Sequence, residues 1–499
     1  MPPRARPLPS VVEPAGSIRF GTPAGRWVIA ATVLGSGIAF LDGTVVNVAL
    51  PTIGDDLDTG LSGLQWILDG YLVTLSALLL LGGSLGDLYG RRRTFVTGLI
   101  GFTVDSAICG LAPTSGALIA ARALQGAAAA LLVPGSLAIL SASFVPEDRA
   151  RAVGAWSGFG GVAGAVGPFV GGWLVDAASW RLVFLINLPL AAVAVAVTLR
   201  HVPESRDADA VRHLDLPGAM AASLGLGGLA YALIEGAGGV GVTDVVAGLV
   251  GSVMVGAFVV IERRSRQPML PLEVFGSRQF TGANLTTLAV YTGLGGTTFL
   301  LVLQLQLGLG YSAIEAGSAL LPITVLMLAL SARAGQLAQR IGPRLPMTVG
   351  PIVIAAGLLL LSRVEPGSTY VGTVLPALVV FGLGLATTVA PLTAAVLAAV
   401  DDHHLGVGSG VNNAVARVAA LLSVALLPTL AGVDLAGGGA GLGAGFRTAL
   451  RISAGVCVVG GVVAWLTVRR ALAQPALAQP SILHPCYDPM VTGKGARTA

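Results

Sequence analysis

Fourteen apolar runs of about 20 residues follow one another along the chain and constrain its fold more than any other feature. Only 11% of the residues are charged, whereas a water-soluble domain carries about 25%. The sequence therefore excludes a water-soluble globular protein, and its apolar content excludes a disordered one. We predict an all-α polytopic membrane protein with spans at 27–49, 65–85, 94–112, 117–142, 152–175, 181–199, 216–235, 242–261, 280–305, 312–332, 346–362, 370–396, 410–432 and 450–468.

The distribution of basic residues predicts which loops are cytoplasmic. With the N-terminus in the cytoplasm, 23 of the 29 Lys and Arg residues fall on cytoplasmic segments and only 4 on outer segments. Lys and Arg are enriched in the cytoplasmic loops of membrane proteins. We therefore expect a multi-pass protein of the plasma membrane with both termini cytoplasmic. The net charge of +4 is scattered over short segments, so it predicts no nucleic-acid partner.

An internal repeat organises the spans into two halves. The segment Gly83–Arg93 follows the second span, and Gly335–Arg344 follows the tenth with the same Gly-x-Leu, a later glycine and arginine. Spans 1–6 then correspond to spans 9–14, and two spans are inserted between them. Two parallel six-helix halves are typical of secondary transporters. The predicted segments are an N-terminal tail (1–25), a six-helix half (26–200), two inserted helices and a connector (201–262), a second half (263–470) and a C-terminal tail (471–499).

Four motifs lie on or beside the first, second, fourth and fifth spans. They are Leu41-Asp42-Gly-Thr44-Val-Val-Asn47-Val-Ala-Leu-Pro51, the Gly83–Arg93 segment, Arg122-Ala-Leu-Gln125-Gly126 and Gly164-Ala-Val-Gly167-Pro168-Phe-Val-Gly171-Gly172. On these motifs the chain resembles the major facilitator superfamily, and within it the fourteen-span drug/proton antiporters of the methylenomycin-resistance type. The resemblance covers about residues 27–470 and implies the major facilitator fold, with fourteen helices arranged as 6 + 2 + 6.

Asp42 is the residue with the sharpest functional implication. A charged side chain near the bilayer centre costs about 2.5–3.5 kcal/mol, so Asp42 should face a cavity or a partner. Counted from the outer ends of their spans, Asp42, Arg122 and Asp105 lie about 12, 8 and 10 Å deep. An ion pair or a triad is therefore possible. We interpret these three as a proton-coupling site; the alternative is a static ion pair that fixes helix packing. Asp69, about 6 Å deep, is expected to reach water.

The loop after the second span carries a different prediction. Asp87 lies at a helix C-terminus, where the helix dipole opposes a negative charge, so an arginine of the same loop or another helix N-terminus should hold it. The resemblance implies that Gly83, Asp87, Gly90 and Arg91 act as a conformational gate that latches the two halves in the outward-facing state. The alternative is a plain topology signal.

The small residues of the fifth span predict close helix packing. Gly164, Gly167, Gly171 and Gly172 are spaced so that two backbones can approach, and Pro168 can bend the helix. The resemblance associates this motif with antiport. We expect a tight contact between span 5 and its counterpart that limits leak; ordinary packing is the alternative.

Polar residues within spans usually face the interior of a bundle, and several lie in candidate cavity positions. These substrate-cavity candidates are Asn47, Gln125, Asn284, Tyr291, Gln304, Asn413 and Arg417.

Together these features predict a monomeric, proton-coupled antiporter that exports hydrophobic or cationic small molecules, with the lipid bilayer, protons and a drug-like substrate as its partners. An uptake symporter or facilitator for a metabolite is the alternative, because a fold does not fix direction. The short loops disfavour an enzyme. No cofactor or metal is expected: the three cysteines lack metal-ligand spacing, and the sequence has no phosphate-binding loop for ATP.

Overall fold

A computed structural model describes residues 18–206, 214–265, 268–400, 405–433, 435 and 438–469. The described chain is helical, and its only β contact is an isolated bridge between Ile18 and Phe144. The helices are α1 (Pro23–Asp56), α2 (Leu61–Tyr89), α3 (Arg91–Gly110), α4 (Ser115–Ser143), α5 (Pro146–Ala177), α6 (Leu182–Leu185), α7 (Asn187–His201), α8 (Leu216–Glu235), α9 (Val242–Arg264), α10 (Arg278–Leu303), α11 (Ala313–Ala319), α12 (Leu321–Ile341), α13 (Arg344–Leu361), α14 (Leu375–Leu397), α15 (Leu405–Ala431) and α16 (Gly438–Thr467).

Thirteen helical segments of the described chain are long and apolar enough to cross a membrane, which confirms the all-α membrane fold. The predicted third span, now α3, is not among them. It is 20 residues long, but it begins with three arginines and carries Asp105. The arrangement of fourteen spans as 6 + 2 + 6 therefore stays a prediction.

Each half is held together by close helix pairs, among them α1 with α5 and α2 with α4 in the first half, and α13 with α14 and α10 with α16 in the second. The α2–α4 contact depends on Gly126, because a Cβ there would meet the carbonyl oxygen of Tyr71. Small residues allow such backbone approach between membrane helices.

The internal repeat has a conformational counterpart. Gly90, between α2 and α3, has φ +110°, and Gly342, between α12 and α13, has φ +85°. Positive φ is readily adopted by glycine but strained for residues with a Cβ. The same glycine turn thus joins the second and third long helices of each repeat. We call the membrane face that carries these turns the basic face, because Arg91–Arg93 lie there, and the other side the opposite face.

The inserted helices α8 and α9 pack tightly on each other, and α8 also contacts α2 of the first half and α15 of the second. On α2, Trp66 Nε1 donates to Glu235 Oε1 at 2.8 Å, and on α15, Thr429 Oγ1 donates to the Leu233 carbonyl at 3.1 Å. Both bonds lie near the opposite face. The pair is therefore fixed to α2 and α15 at that end.

Residues 18–25 differ from the predicted tail because they pack on the bundle. Ile18 is buried and pairs with the α4–α5 turn. The Phe20 amide donates to Asp148 Oδ2 at 2.9 Å, and the Arg151 guanidinium lies over the Phe20 ring. The predictions for residues 1–17 and 471–499 lie outside the described residues.

Candidate functional site

Asp42 of α1 and Arg122 of α4 form an ion pair in the interior of the first half. Arg122 Nη1 lies 2.5 Å from Asp42 Oδ2, and the two side chains are 1% and 0% exposed, respectively. Arg122 Nε donates to the Ile67 carbonyl at 3.1 Å, and the guanidinium lies 4.2 Å from the centre of the Tyr71 ring. The guanidinium is thus held by a charge, a carbonyl and an aromatic face. Breaking a buried pair of this kind costs about 3–5 kcal/mol.

Three neutral side chains complete the network around the carboxylate. Gln125 Nε2 and Asn187 Nδ2 each donate to Asp42 Oδ1 at 3.1 Å. Both amides also donate to Ser106 Oγ, at 2.7 and 3.2 Å, and Gln125 Oε1 accepts from Arg122 at 2.6 Å. Both oxygens of Asp42 are therefore satisfied by groups of the first half alone.

The third residue of the predicted triad does not join the network. Among the described residues, Asp105 makes no ion pair or side-chain hydrogen bond, and its neighbour Ser106 occupies the place beside the pair. Ser106 was missed by the sequence reasoning. Asn187, the first residue of α7, was not predicted as a site residue either. Gln125, predicted for the substrate cavity, belongs to the ion-pair network instead.

Asp69 of α2 is fully buried, contrary to the expectation that it reaches water. Neither of its carboxylate oxygens has a hydrogen-bond partner among the described residues. It lies one helical turn from Gln65, whose amide donates to the Val424 carbonyl of α15 at 2.6 Å. Asp69 is thus a buried carboxyl on the face of α2 that carries Gln65, at the seam between the halves.

The two halves meet at the opposite face. Besides the Gln65 bond, Gln306 Nε2 donates to the Val48 carbonyl of α1 at 2.9 Å. The amides of Ala313 and Ile314, at the start of α11, donate to the two carboxylate oxygens of Asp176 at 3.2 and 2.8 Å. Asp176 lies in the last turn of α5. The halves are therefore joined on one flank through α2 and α15 and on the other through α5 and α11.

The glycines of the fifth span pack against two helices. An added Cβ at Gly171 would lie 2.6 Å from Val45 Cγ2 of α1, and one at Gly167 would meet Leu41 O at 3.2 Å. Gly172 instead faces the backbone of Ala313 on α11. The expected tight contact exists, but its partner in the other half is α11, at the start of span 10, rather than span 13.

The loop at the basic face holds its charges locally. Arg91 Nη2 lies 2.8 Å from Asp87 Oδ1, four residues earlier. Glu204, missed by the sequence reasoning, accepts from the amides of Arg92 and Arg93 at 3.1 Å. A Cβ at Gly90 would lie 2.8 Å from the Glu204 carboxylate. Asp87 is therefore held by an arginine of its own loop, one of the two partners expected for it. A Cβ added at Gly83, which lies within α2, would make only ordinary van der Waals contact with Pro134.

The substrate-cavity candidates separate in the structure. Arg417 of α15 lies 5.9 Å from the centre of the Phe40 ring of α1, across the interface between the halves. Gln304 is fully buried, and its side-chain amide has no hydrogen-bond partner among the described residues. Asn284 accepts a hydrogen bond from Asn412 of α15. The remaining candidates, Asn47, Tyr291 and Asn413, are partly buried.

Known proteins match this arrangement over most of the chain. The sequence profile of the Major Facilitator Superfamily matches residues 32–424. The chain belongs to this superfamily. A puromycin resistance protein of Streptomyces alboniger is 34% identical over 458 residues, 89% of this chain and 91% of that protein. A multidrug resistance protein of Mycobacterium tuberculosis is 36% identical over 401 residues, 80% of this chain and 74% of that protein.

A methylenomycin A resistance protein of Streptomyces coelicolor is 36% identical over 421 residues, 83% of this chain and 87% of that protein. These relatives confirm the drug-exporter group of the superfamily. Among solved structures, an inward-facing bacterial homologue of the human lysosomal transporter Spinster has a TM-score of 0.64 at 16% identity and covers 90% of this chain and 97% of its own. A D-xylose–proton symporter has a TM-score of 0.63 at 14% identity, with 89% and 98% covered. These structures share the superfamily fold.

Replacing Asp176 with Ala is expected to weaken the closure of this superfamily member at the opposite face. The variant loses two hydrogen bonds to the start of α11. A side chain that caps a helix start contributes about 0.5–2 kcal/mol, so the open population should rise roughly 2- to 30-fold. An Asn47→Cys reporter, labelled by an impermeant maleimide, measures the opening.

Asp55→Ala is the matched control for this experiment. Asp55 is exposed near the same end of α1 and makes no ion pair or side-chain hydrogen bond within the described chain. Equal labelling of the reporter in the Asp55→Ala and Asp176→Ala proteins would contradict a role of Asp176 in closure.

Proposed function

We propose that the protein is a proton-coupled antiporter that exports hydrophobic or cationic small molecules by alternating access. The observation that carries the proposal is the buried Asp42–Arg122 pair, in which a proton can replace the guanidinium as the partner of the carboxylate. The names of the relatives support the substrate class, because they describe resistance to puromycin, to methylenomycin A and to multiple drugs. Proton-coupled uptake on the same fold is the rival function.

The proposed cycle uses two alternating partners of Asp42. With Arg122 in place, the carboxylate is charge-compensated and the first half is internally satisfied. Arrival of a proton from the outer side neutralises Asp42 and frees Arg122 from its ion pair, which changes the packing of α1 against α4. Release of the proton on the inner side restores the pair. Each charge moved inward contributes about 2.3 kcal/mol per 100 mV.

Because the opposite face is closed, the structure fits the inward-facing state of this cycle, in which substrate enters from the inside. We propose that the basic face is cytoplasmic, that the protein lies in the plasma membrane as a monomer with both termini inside, and that Asp87 and Arg91 latch the halves once the opposite face opens. Arg417, across the interface from Phe40, is the proposed substrate contact of the second half.

Inverted membrane vesicles provide the test of the proposal. Vesicles with an acid interior, with or without the protein, receive a panel of hydrophobic antibiotics and cationic dyes. We expect at least one compound to dissipate the pH gradient and to accumulate inside only when the protein is present. If the compounds have no effect while an uncharged metabolite moves together with protons, the protein is an uptake symporter and the export proposal fails.

Asp69 is proposed as a second proton-binding group. A buried carboxyl without a partner is far less costly in its neutral form than in its charged form, and Asp69 lies at the seam where α2 meets α15. Asp69→Asn keeps the shape of the neutral acid, so we expect normal membrane insertion and export, with fewer protons moved per substrate molecule. Parallel measurement of substrate and proton fluxes gives this ratio.

Gln65→Glu is the matched control for this prediction, because it places a carboxyl one turn away on the same face. An unchanged proton-to-substrate ratio in Asp69→Asn would exclude Asp69 from coupling.

A further inference from the structure

An apolar cavity lies away from Asp42, between the inserted helices and both halves of the bundle. Its volume is about 390 Å³, and α2, α8, α9, α10 and α15 form its walls. Protein interiors leave few voids larger than a water molecule, whereas ligand sites measure about 300–1,000 Å³. The cavity has the size of a ligand site.

Within the described chain, the hydrogen bonds that join the inserted pair to α2 and α15 lie near the opposite face. Near the opposite face, Val73, Ala230 and Leu421 form a small cluster that joins α2, α8 and α15. Nearer the basic face, residues 268–277 before α10 contribute Met269, Leu270 and Phe275 to the cavity wall. The Leu270 amide donates to the buried Glu262 of α9 at 3.0 Å, and Leu270 lines the cavity.

The polar groups of the lining define the kind of ligand. Thr281 donates to the Phe275 carbonyl, and Asn284 donates to the Phe280 carbonyl and accepts from Asn412. Ser76 is 6% exposed, and its hydroxyl has no partner among the described residues. A buried hydroxyl without a hydrogen bond is unfavourable. The lining thus offers one free hydrogen-bonding group in an apolar surround.

We propose that this cavity binds an uncharged lipophilic small molecule that forms a hydrogen bond with Ser76. None of the described residues that line the cavity has an ionisable side chain to compensate a charge. A lipid acyl chain would leave the Ser76 hydroxyl unpaired. A buried water needs 2–4 polar partners, and the other polar side chains of the lining already have partners.

The position of the cavity relates it to transport. Its wall includes Leu80 of α2, which contacts Gly410 of α15 at the seam between the halves. The cavity therefore borders the interface of the two halves. That the bound molecule is then exported rests on the proposed function, but binding itself does not.

A labelling experiment on the full chain in phosphatidylcholine nanodiscs tests binding without transport. Leu226→Cys places a thiol in the cavity, and Leu224→Cys places one on the lipid-facing side of the same helix, where Leu224 is 55% exposed. Cys486 is replaced by Ser, and the native Cys109 and Cys457 are buried. N-phenylmaleimide is the label, and Nile red, an uncharged lipophilic dye with a carbonyl group, is the probe.

We expect Nile red to slow labelling of Leu226→Cys saturably and to leave Leu224→Cys unchanged. Ser76→Ala should raise the half-protecting concentration of Nile red roughly 3- to 10-fold, the effect of one hydrogen bond. Pyrene, which has no hydrogen-bonding group, should protect equally with and without Ser76. If Leu226→Cys fails to fold, Ala222→Cys replaces it at a second position of the lining.

Three results would overturn the proposal: no protection of either cavity thiol, equal protection of the lipid-facing thiol, or an unchanged Nile red concentration in Ser76→Ala. If the protein binds Nile red but transports no compound in vesicles, the binding site is supported and the proposed transport function fails.

Discussion

An Asp42→Asn variant is expected to lose proton-coupled export while still inserting into the membrane. Asparagine preserves the size of the side chain, but it cannot bind or release the proton. It also leaves the guanidinium of Arg122 buried without its counter-charge. Removing one partner of a buried pair costs about 3–5 kcal/mol, so the purified variant should also unfold at a lower temperature. Gradient dissipation in inverted vesicles and thermal unfolding measure the two effects.

The double variant Asp42→Asn with Arg122→Gln separates coupling from stability. Replacing both partners of a buried interaction is far less destabilising than removing one, so we expect the unfolding temperature to recover while coupling stays lost. Asp105→Asn is the matched carboxylate control, because Asp105 has a similar predicted depth but stands outside the described network. Full coupling in Asp42→Asn, or recovery of coupling in the double variant, would show that the pair is only structural.

Gly172→Ala is expected to prevent full closure of the opposite face and to stop transport. The new Cβ would meet the Ala313 carbonyl oxygen and would lie 2.5 Å from Ile314 Cα and 2.6 Å from Ala313 C. These are backbone atoms of α11, so a whole helix has to move. Overpacking of this kind costs about 1–3 kcal/mol, which favours the open arrangement roughly 5- to 150-fold. Increased labelling of the Asn47→Cys reporter and loss of export measure the result.

Gly164→Ala provides a control with the same substitution on the same helix. Its added Cβ would have no neighbour closer than Phe40 O at 3.9 Å, so transport and labelling should stay as in the natural chain. If both glycine variants retain transport, the α5–α11 contact does not limit the cycle.

Apolar run length predicted the helices well because membrane insertion acts on that property directly. The third span was the difficult case, since the arginines before it and Asp105 within it lower its apolar character. Helix partners were harder to predict. Gly172 and its neighbours indicated a close contact, but spacing alone does not specify which helix approaches them.

Depth along a helix predicted that Asp42 and Arg122 could meet, but it could not predict which side of α3 faces them. Consecutive residues of an α-helix point about 100° apart, so Asp105 and Ser106 have nearly equal depth and different surroundings. Gln125 shows the same limit, because an amide inside a span fits a substrate cavity as well as a carboxylate network. Its shallow depth predicted that Asp69 reaches water. In the structure, α15 packs on that side of α2.

The inserted helices have a mechanical consequence for the transport cycle. Helix α8 is bonded to the first half through Trp66 and to the second through Thr429, both near the opposite face. On the other flank, α5 and α11 meet through the hydrogen bonds of Asp176 and the close packing of Gly172. Opening that face must either break the α8 tether or swing the halves apart around it. In the second case the two inserted helices act as a hinge, and the halves separate at the α5–α11 contact.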